Sequence, residues 1–230
     1  MKKFLLLAGV LASLGVSLAN ASVEVRIINA AGGGDSGWIV CGGTSCSTGT
    51  ITVGNYSIAL NTAVQLNNGL NPVLDMSYLA STTVANAGTI MFEAMANGYT
   101  IPLSSITGTT VAGNGNSALG DTVNLTTYGG NNNTICAGGV NACTPSSNGS
   151  SVLTNLTGLS EPLNVTASGG GATVSPFSLG IVLSLVNPVR GGTASGDIAL
   201  NAVPEPASVT LLGGVMLVAV SAIRRKMRRA

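Results

Sequence analysis

Apolar and polar side chains alternate repeatedly along the middle of this chain. Val23, Val25 and Ile27 fall on one side of an extended segment and Glu24 and Arg26 on the other, the period-two signature of a strand with one face buried. Ile51 and Val53 oppose Thr52 in the same way. Ile181, Leu183 and Leu185 oppose Val182, Ser184 and Val186, which suits a strand covered on both sides. The pattern predicts strands over 23–28, 38–41, 49–60 with a break at Gly54-Asn55, 72–78, 89–95, 109–112, 121–127, 151–156, 163–167, 177–186 and 195–202. Turn signals separate them: Gly32-Gly33-Gly34-Asp35, Asn67-Asn68-Gly69, Asn97-Gly98, Asn114-Gly115-Asn116, Gly129-Gly130-Asn131, Asn148-Gly149 and Gly169-Gly170-Gly171. The nearest approach to a helix, Met91 to Asn97, follows β-branched Ile90 and is stopped by Asn97-Gly98, so it too reads as a strand. Short strands with frequent turns across 22–202 predict one all-β ectodomain, an antiparallel β-sandwich of jelly-roll or immunoglobulin-like type.

The two ends differ from this body. Lys2 and Lys3 precede an apolar stretch from Phe4 to Leu18, and Ala19-Asn20-Ala21 forms a small-x-small site ahead of Ser22. Residues 1–21 therefore read as a secretory signal peptide cleaved between Ala21 and Ser22. An uncleaved N-terminal anchor competes, but the run is short for a hydrocarbon core of about 30 Å. Seven of the nine basic residues lie in the terminal segments. In the body, Arg26 and Arg190 oppose Glu24, Asp35, Asp75, Glu93, Asp121, Glu161 and Asp197, two positive against seven negative charges, a net −5. A mildly acidic body without a basic patch or interleaved aromatics excludes nucleic acid as a partner.

Cysteine usage agrees with export. Cys41 and Cys46 are separated by four residues and Cys136 and Cys143 by six. Four cysteines allow three pairings; the short Gly-rich loops favour Cys41 with Cys46 and Cys136 with Cys143, because closing a short loop costs least chain entropy. Zinc competes, but neither spacing is that of a C-x2-C knuckle, and an oxidising compartment favours disulfides.

The chain holds no histidine, so Ser-His-Asp and Cys-His catalysis cannot be built. Seven isolated body acids offer no glycosidase pair by sequence, and the protein reads as a non-enzyme. Gly32-Gly33-Gly34-Asp35-Ser36-Gly37 matches G-x-G-x-x-G, yet strand-like Trp38-Ile39-Val40-Cys41 follows it where the phosphate-binding motif needs a helix. No cofactor is called for. Calcium is the one cation with candidate ligands, through Asp35, Asn114, Asn116 and Asp121. Sequons begin at Asn55, Asn124, Asn132, Asn148, Asn155 and Asn164, as a chain so rich in Asn, Ser and Thr produces by chance. Trp38, Tyr56, Tyr78, Tyr99 and Tyr128 are candidates for stacking on sugar rings.

The last 28 residues carry the most specific pattern. Val203-Pro204-Glu205-Pro206-Ala207-Ser208 leads into 17 uncharged residues from Ala207 to Ile223, followed by Arg224-Arg225-Lys226-Met227-Arg228-Arg229-Ala230. As a helix the uncharged run spans about 26 Å, enough for a transmembrane segment at 207–223. The basic cluster of Arg224, Arg225, Lys226, Arg228 and Arg229 would hold its end in the cytoplasm. Motif, span and basic end together resemble the PEP-CTERM sorting signal of bacterial exosortase substrates. The resemblance implies that Pro204, Glu205 and Pro206 are recognised by an integral-membrane exosortase, which cleaves nearby and releases or transfers the body. It further implies a Gram-negative surface or matrix protein linked to exopolysaccharide, carried by the secretion machinery and held briefly in the inner membrane. A secreted carbohydrate-binding module and a plain single-span anchored surface protein are the alternatives.

Overall fold

The computed structural model of the chain describes residues 22–29, 33–67, 71–99, 106–130, 150–159, 162–169 and 177–204. These form thirteen strands: β1 (Ser22–Asn29), β2 (Gly34–Asp35), β3 (Ile39–Gly42), β4 (Ser45–Val53), β5 (Tyr56–Asn67), β6 (Asn71–Thr82), β7 (Ile90–Tyr99), β8 (Ile106–Ser117), β9 (Thr122–Gly130), β10 (Ser150–Leu159), β11 (Leu163–Gly169), β12 (Phe177–Val186) and β13 (Gly192–Pro204). No helix occurs among the described residues, and so none there is long and apolar enough to cross a membrane.

The strands build two antiparallel sheets packed as a sandwich. Sheet A runs β10-β9-β12-β7-β1, with β2 and β3 sharing the free side of β1; sheet B runs β11-β8-β13-β6-β5-β4. The chain changes sheet after β3, β6, β7, β8, β10, β11 and β12. Alternation along each strand then sends every second side chain into one shared core. Val23, Val25 and Ile27 of β1, Phe92 of β7 and Ile181 and Leu183 of β12 meet Ile58 and Leu60 of β5, Leu74 and Met76 of β6 and Ile198 and Leu200 of β13. Each such side chain contributes about 1.5–3 kcal/mol on burial. Tyr99 stacks on Phe177 and Tyr78 packs against Phe92, with ring centroids 5.2 and 4.9 Å apart.

Several segments expected as turns lie wholly or partly within strands instead, and three of them show why. Gly34-Asp35 pairs with Asn29 and Ile28 as β2. A Cβ on Gly34 would sit 2.2 Å from the Gly54 nitrogen, so this glycine lets the β1–β2 hairpin press on the β4–β5 turn. Asn97-Gly98 is a bulge in β7: Gly98 has φ 82° where the register with β12 slips between Phe177 and Leu179. Asn114-Gly115-Asn116 is mid-strand in β8, because the Tyr78 side chain of β6 lies over Gly196 and Gly115 in neighbouring strands. A Cβ on Gly115 would come within 3.1 Å of the Tyr78 hydroxyl, and one on Gly196 within 2.8 Å of the ring.

Cys41 and Cys46 are joined by a disulfide with Cα atoms 5.4 Å apart. It does more than close a loop: Cys41 lies on an edge of sheet A and Cys46 on an edge of sheet B, so the bond ties the two layers together. A loop this short restricts the unfolded chain by about 2 kcal/mol. Cys136 and Cys143 lie outside the described residues. So do Ala21 with the rest of 1–21, Glu205 and Pro206, the span 207–223, and the basic residues Arg224, Arg225, Lys226, Arg228 and Arg229. Ser22 opens β1, its backbone N–H donating to Asn97 Oδ1 at 3.0 Å. β13 runs through Val203 to Pro204, which pairs with Ile106, so the first proline of the triplet lies within a sheet strand.

Replacing Gly196 by Ala forces a Cβ to within 2.6 Å of the Asn114 carbonyl oxygen as well as onto Tyr78. Urea unfolding of G196A should show a loss of about 1–3 kcal/mol. Gly42→Ala, where a Cβ meets nothing within 4 Å, should stay within about 0.5 kcal/mol of the parent.

Candidate functional site

The core takes three of the five aromatic candidates. Tyr56, Tyr78 and Tyr99 are buried and unavailable to a sugar. The Tyr56 hydroxyl donates to the Gly88 carbonyl at 2.7 Å, and burial, with the charge of Asp121 adding, pushes its pKa up to about 12. Tyr99 donates to the Val73 carbonyl at 3.2 Å and is shifted upward by burial.

The other two, Trp38 and Tyr128, both lie against one apolar cluster on the outward face of sheet A. Both pack, partly buried, against a small outer cluster of Met95 and Val182, joined by Met91. Register explains the arrangement. Tyr128 of β9 lies opposite Gly180 of β12, Gly180 opposite Met95 of β7, and Met95 opposite Glu24 of β1. Gly180 has no side chain, and the space a Cβ would occupy is 3.6 Å from both Met95 Cε and Tyr128 Cβ, so those two residues close over it.

Beside this apolar strip runs a chain of charges. Arg26 Nε donates to Asp35 Oδ1 at 2.9 Å and its Nη2 to Oδ2, while Nη1 stands 3.9 Å from Glu93 Oε2. The guanidinium also lies 5.8 Å from the Trp38 ring centroid, within cation–π range. The Arg26 hydrogen bond holds Asp35 below the usual carboxylate range, helped by the Gly37 backbone N–H. Glu93 is 0% exposed although it points away from the core, roofed by its neighbours on the outer face. Burial, with the Glu93 charge adding, raises the pKa of Tyr128, and burial alone raises that of Glu24. Sequence reasoning named Trp38 and Tyr128 but missed Arg26 and Glu93. Alternation put both on the outward face, and only the β1–β7 pairing brings them together.

Sheet B presents a different outer face. One row crosses all six strands, Asn164, Asn114, Asp197, Ser77, Asn61 and Ser47, each directly opposite the next. Ser47 donates to Asn61 Oδ1 at 2.6 Å. A cavity of about 880 Å³ opens at one end of this sheet, bordered by Thr52, Asn55, Ser57, Ser81 and Thr193. The calcium candidates are dispersed: Asp35 is engaged by Arg26, Asp121 accepts the Ser117 hydroxyl at 2.5 Å, and Asn114 and Asn116 face outward from β8. No group of three metal-ligating side chains occurs among the described residues.

Asp75 and Asp197 stand one diagonal step apart on β6 and β13. No other charged side chain among the described residues faces outward from the strands of sheet B. Burial first, and the Asp197 charge second, push the Asp75 pKa up. A raised carboxyl pKa favours the protonated folded state. That stabilisation is complete below the ordinary value near 3.8 and is lost as pH rises through the raised value. Asp75→Asn should therefore raise the thermal midpoint at pH 7 by on the order of 2 °C, and the gain should shrink below pH 4. Thermal unfolding of both proteins across pH measures it.

No protein-family model matches the chain, and no curated protein matches it. Solved structures overlap it at low similarity. The CBM22-1–GH10 modules of Clostridium thermocellum endo-1,4-beta-D-xylanase 10B, complexed with xylohexaose, share 9% identity over 68% of this chain at a TM-score of 0.31. This chain spans 26% of that one. A xylan-binding domain from CBM 22 shares 11% over 66% of this chain and 88% of its own, TM-score 0.31. The C-terminal CBM6 of the laminarinase LamC from Zobellia galactanivorans shares 12% over 76% and 98%, TM-score 0.26. TM-scores this low establish neither a shared fold nor a shared ligand.

Proposed function

We propose that this is an exported surface or extracellular-matrix protein with a non-enzymatic adhesive role, and that it contacts polysaccharide through the outer face of sheet A. The observation that carries the reading is that Trp38 and Tyr128 pack against one apolar strip, flanked by Arg26, Asp35 and Glu24. Sugar rings offer apolar C–H faces and hydroxyl edges. Aromatic and thioether groups accept the former, and carboxylates and a guanidinium bond the latter. The backbone from β9 to β3 spans four strand spacings, about 19 Å, which lets several rings of an extended chain lie across the face. Export is supported by the Cys41–Cys46 disulfide, a bond that persists in oxidising compartments.

Delivery, in this reading, follows the PEP-CTERM-like tail. Secretion places the body outside, the 207–223 span anchors it, and an exosortase acts at Pro204-Glu205-Pro206.

On a polysaccharide array the protein should show saturable binding that Trp38→Ala weakens about tenfold, the scale of one lost aromatic contact of roughly 1.4 kcal/mol. Binding unchanged by W38A, or absent throughout, refutes the sheet A face. Mass spectrometry of the mature surface protein should find a C-terminus between Pro204 and Ser208; an intact 207–223 span there refutes processing and leaves a single-span anchor.

A further inference from the structure

Two rows of side chains cross the outer face of sheet A side by side. In one, Arg26, Glu93 and Val182 lie directly opposite one another on β1, β7 and β12. In the other, Val40 of β3 faces Glu24 of β1, Glu24 faces Met95, Met95 faces Gly180 and Gly180 faces Tyr128. Glu24 is the charged member of a row that is otherwise apolar or aromatic. Trp38, two residues ahead of Val40, packs against the same Met95 cluster as Tyr128.

The neighbours of Glu24 across the strands offer it nothing polar. Val40 and Met95 carry no donor, and among the described residues Glu24 has no hydrogen-bond or ion-pair partner. Arg26, two residues along β1 on the same face, is engaged elsewhere: it donates twice to Asp35 and stands beside Glu93. Burial is accordingly the sole cause that raises the Glu24 pKa, with no cation to lower it. The carboxylate has given up part of its hydration without a counter-charge in return.

The face as a whole shares this imbalance. Among the described residues the charges facing outward from sheet A are Glu24, Asp35 and Glu93 against Arg26, three acids to one base, a net −2. Such a face repels a chain of uronates or sulfated sugars and gives a neutral chain no electrostatic gain. A sugar with a protonated amine gains twice, from the field of the face and from a charge-assisted hydrogen bond at Glu24.

We infer that the polysaccharide held here is one of amino sugars with free amines, and that Glu24 selects it by pairing with a protonated amine while neighbouring rings lie along the row toward Tyr128. The selection presupposes that the outer face of sheet A is the polysaccharide-binding face. Glu24 and Tyr128 are three strand spacings apart, about 14 Å, so one extended chain reaches both. Acetylation of the amine removes its charge and with it the pairing.

Isothermal titration calorimetry of the full chain in detergent tests the selection, with a glucosamine oligomer carrying free amines and its fully N-acetylated counterpart of equal length. At a pH where the amine is protonated, the free-amine oligomer should bind about tenfold tighter, the scale of one hydrogen bond between charged groups. Glu24→Gln should abolish that preference. Val40→Lys should abolish it too while leaving Glu24 in place, because Val40 is 64% exposed and a lysine there meets the carboxylate directly across the strands. Circular dichroism confirms that both variants are folded. Equal affinity for the two oligomers overturns the inference, and the sheet A face survives it if W38A weakens both. A preference that persists in E24Q and V40K also overturns it. Failure of the free-amine oligomer to bind does so as well, and a blank polysaccharide array then removes the sheet A face with it.

Discussion

The molecule depends on one apolar layer trapped between two sheets. Neither sheet is stable with its inner face in water, and pressing the faces together buries side chains from Val23 to Leu200 in one continuous cluster. The magnitudes rank the other contributions. The inter-sheet disulfide is worth about 2 kcal/mol, no more than a single buried leucine or isoleucine. Its role is to pin one side of the sandwich, where β3 is too short to hold itself.

With the core fixed, function is left to the two outer faces, and these differ in chemistry. The outer face of sheet A carries an apolar strip roofing a buried carboxylate, with Arg26 bridging to Asp35. That of sheet B carries a row of small polar groups across all its strands, with exposed Leu79 beside it and a carboxyl pair near its middle. Glu93 and Asp75 also differ in setting. Glu93 has a guanidinium beside it, whereas Asp75 has none, and burial first and the neighbouring Asp197 second act against its charge at neutral pH.

Much of the architecture was legible in the sequence because alternation is a local signal. The segment 177–186 coincides with β12, and 23–28 lies within β1. What alternation cannot say is which sheet a strand joins, since it identifies the inward face and nothing about the neighbour. The placement of β7 between β1 and β12, which brings Glu93 to Arg26, was therefore invisible. Glycine misled for a physical reason: Gly115 resembles a turn residue but, with Gly196 opposite it, serves to admit the Tyr78 ring, a contact between strands far apart in the chain. The same long-range packing took Tyr56, Tyr78 and Tyr99 into the core and left only Trp38 and Tyr128 available outside.

Mapping backbone amide shifts while the ¹⁵N-labelled protein is titrated with soluble exopolysaccharide tests the central claim most directly, because it locates contact without assuming a residue. The account predicts perturbations clustered at Arg26, Glu93, Met95, Tyr128 and Gly180. Perturbations centred instead on Ser77, Asn114 and Asp197 of sheet B, or a spectrum that does not change, would contradict it.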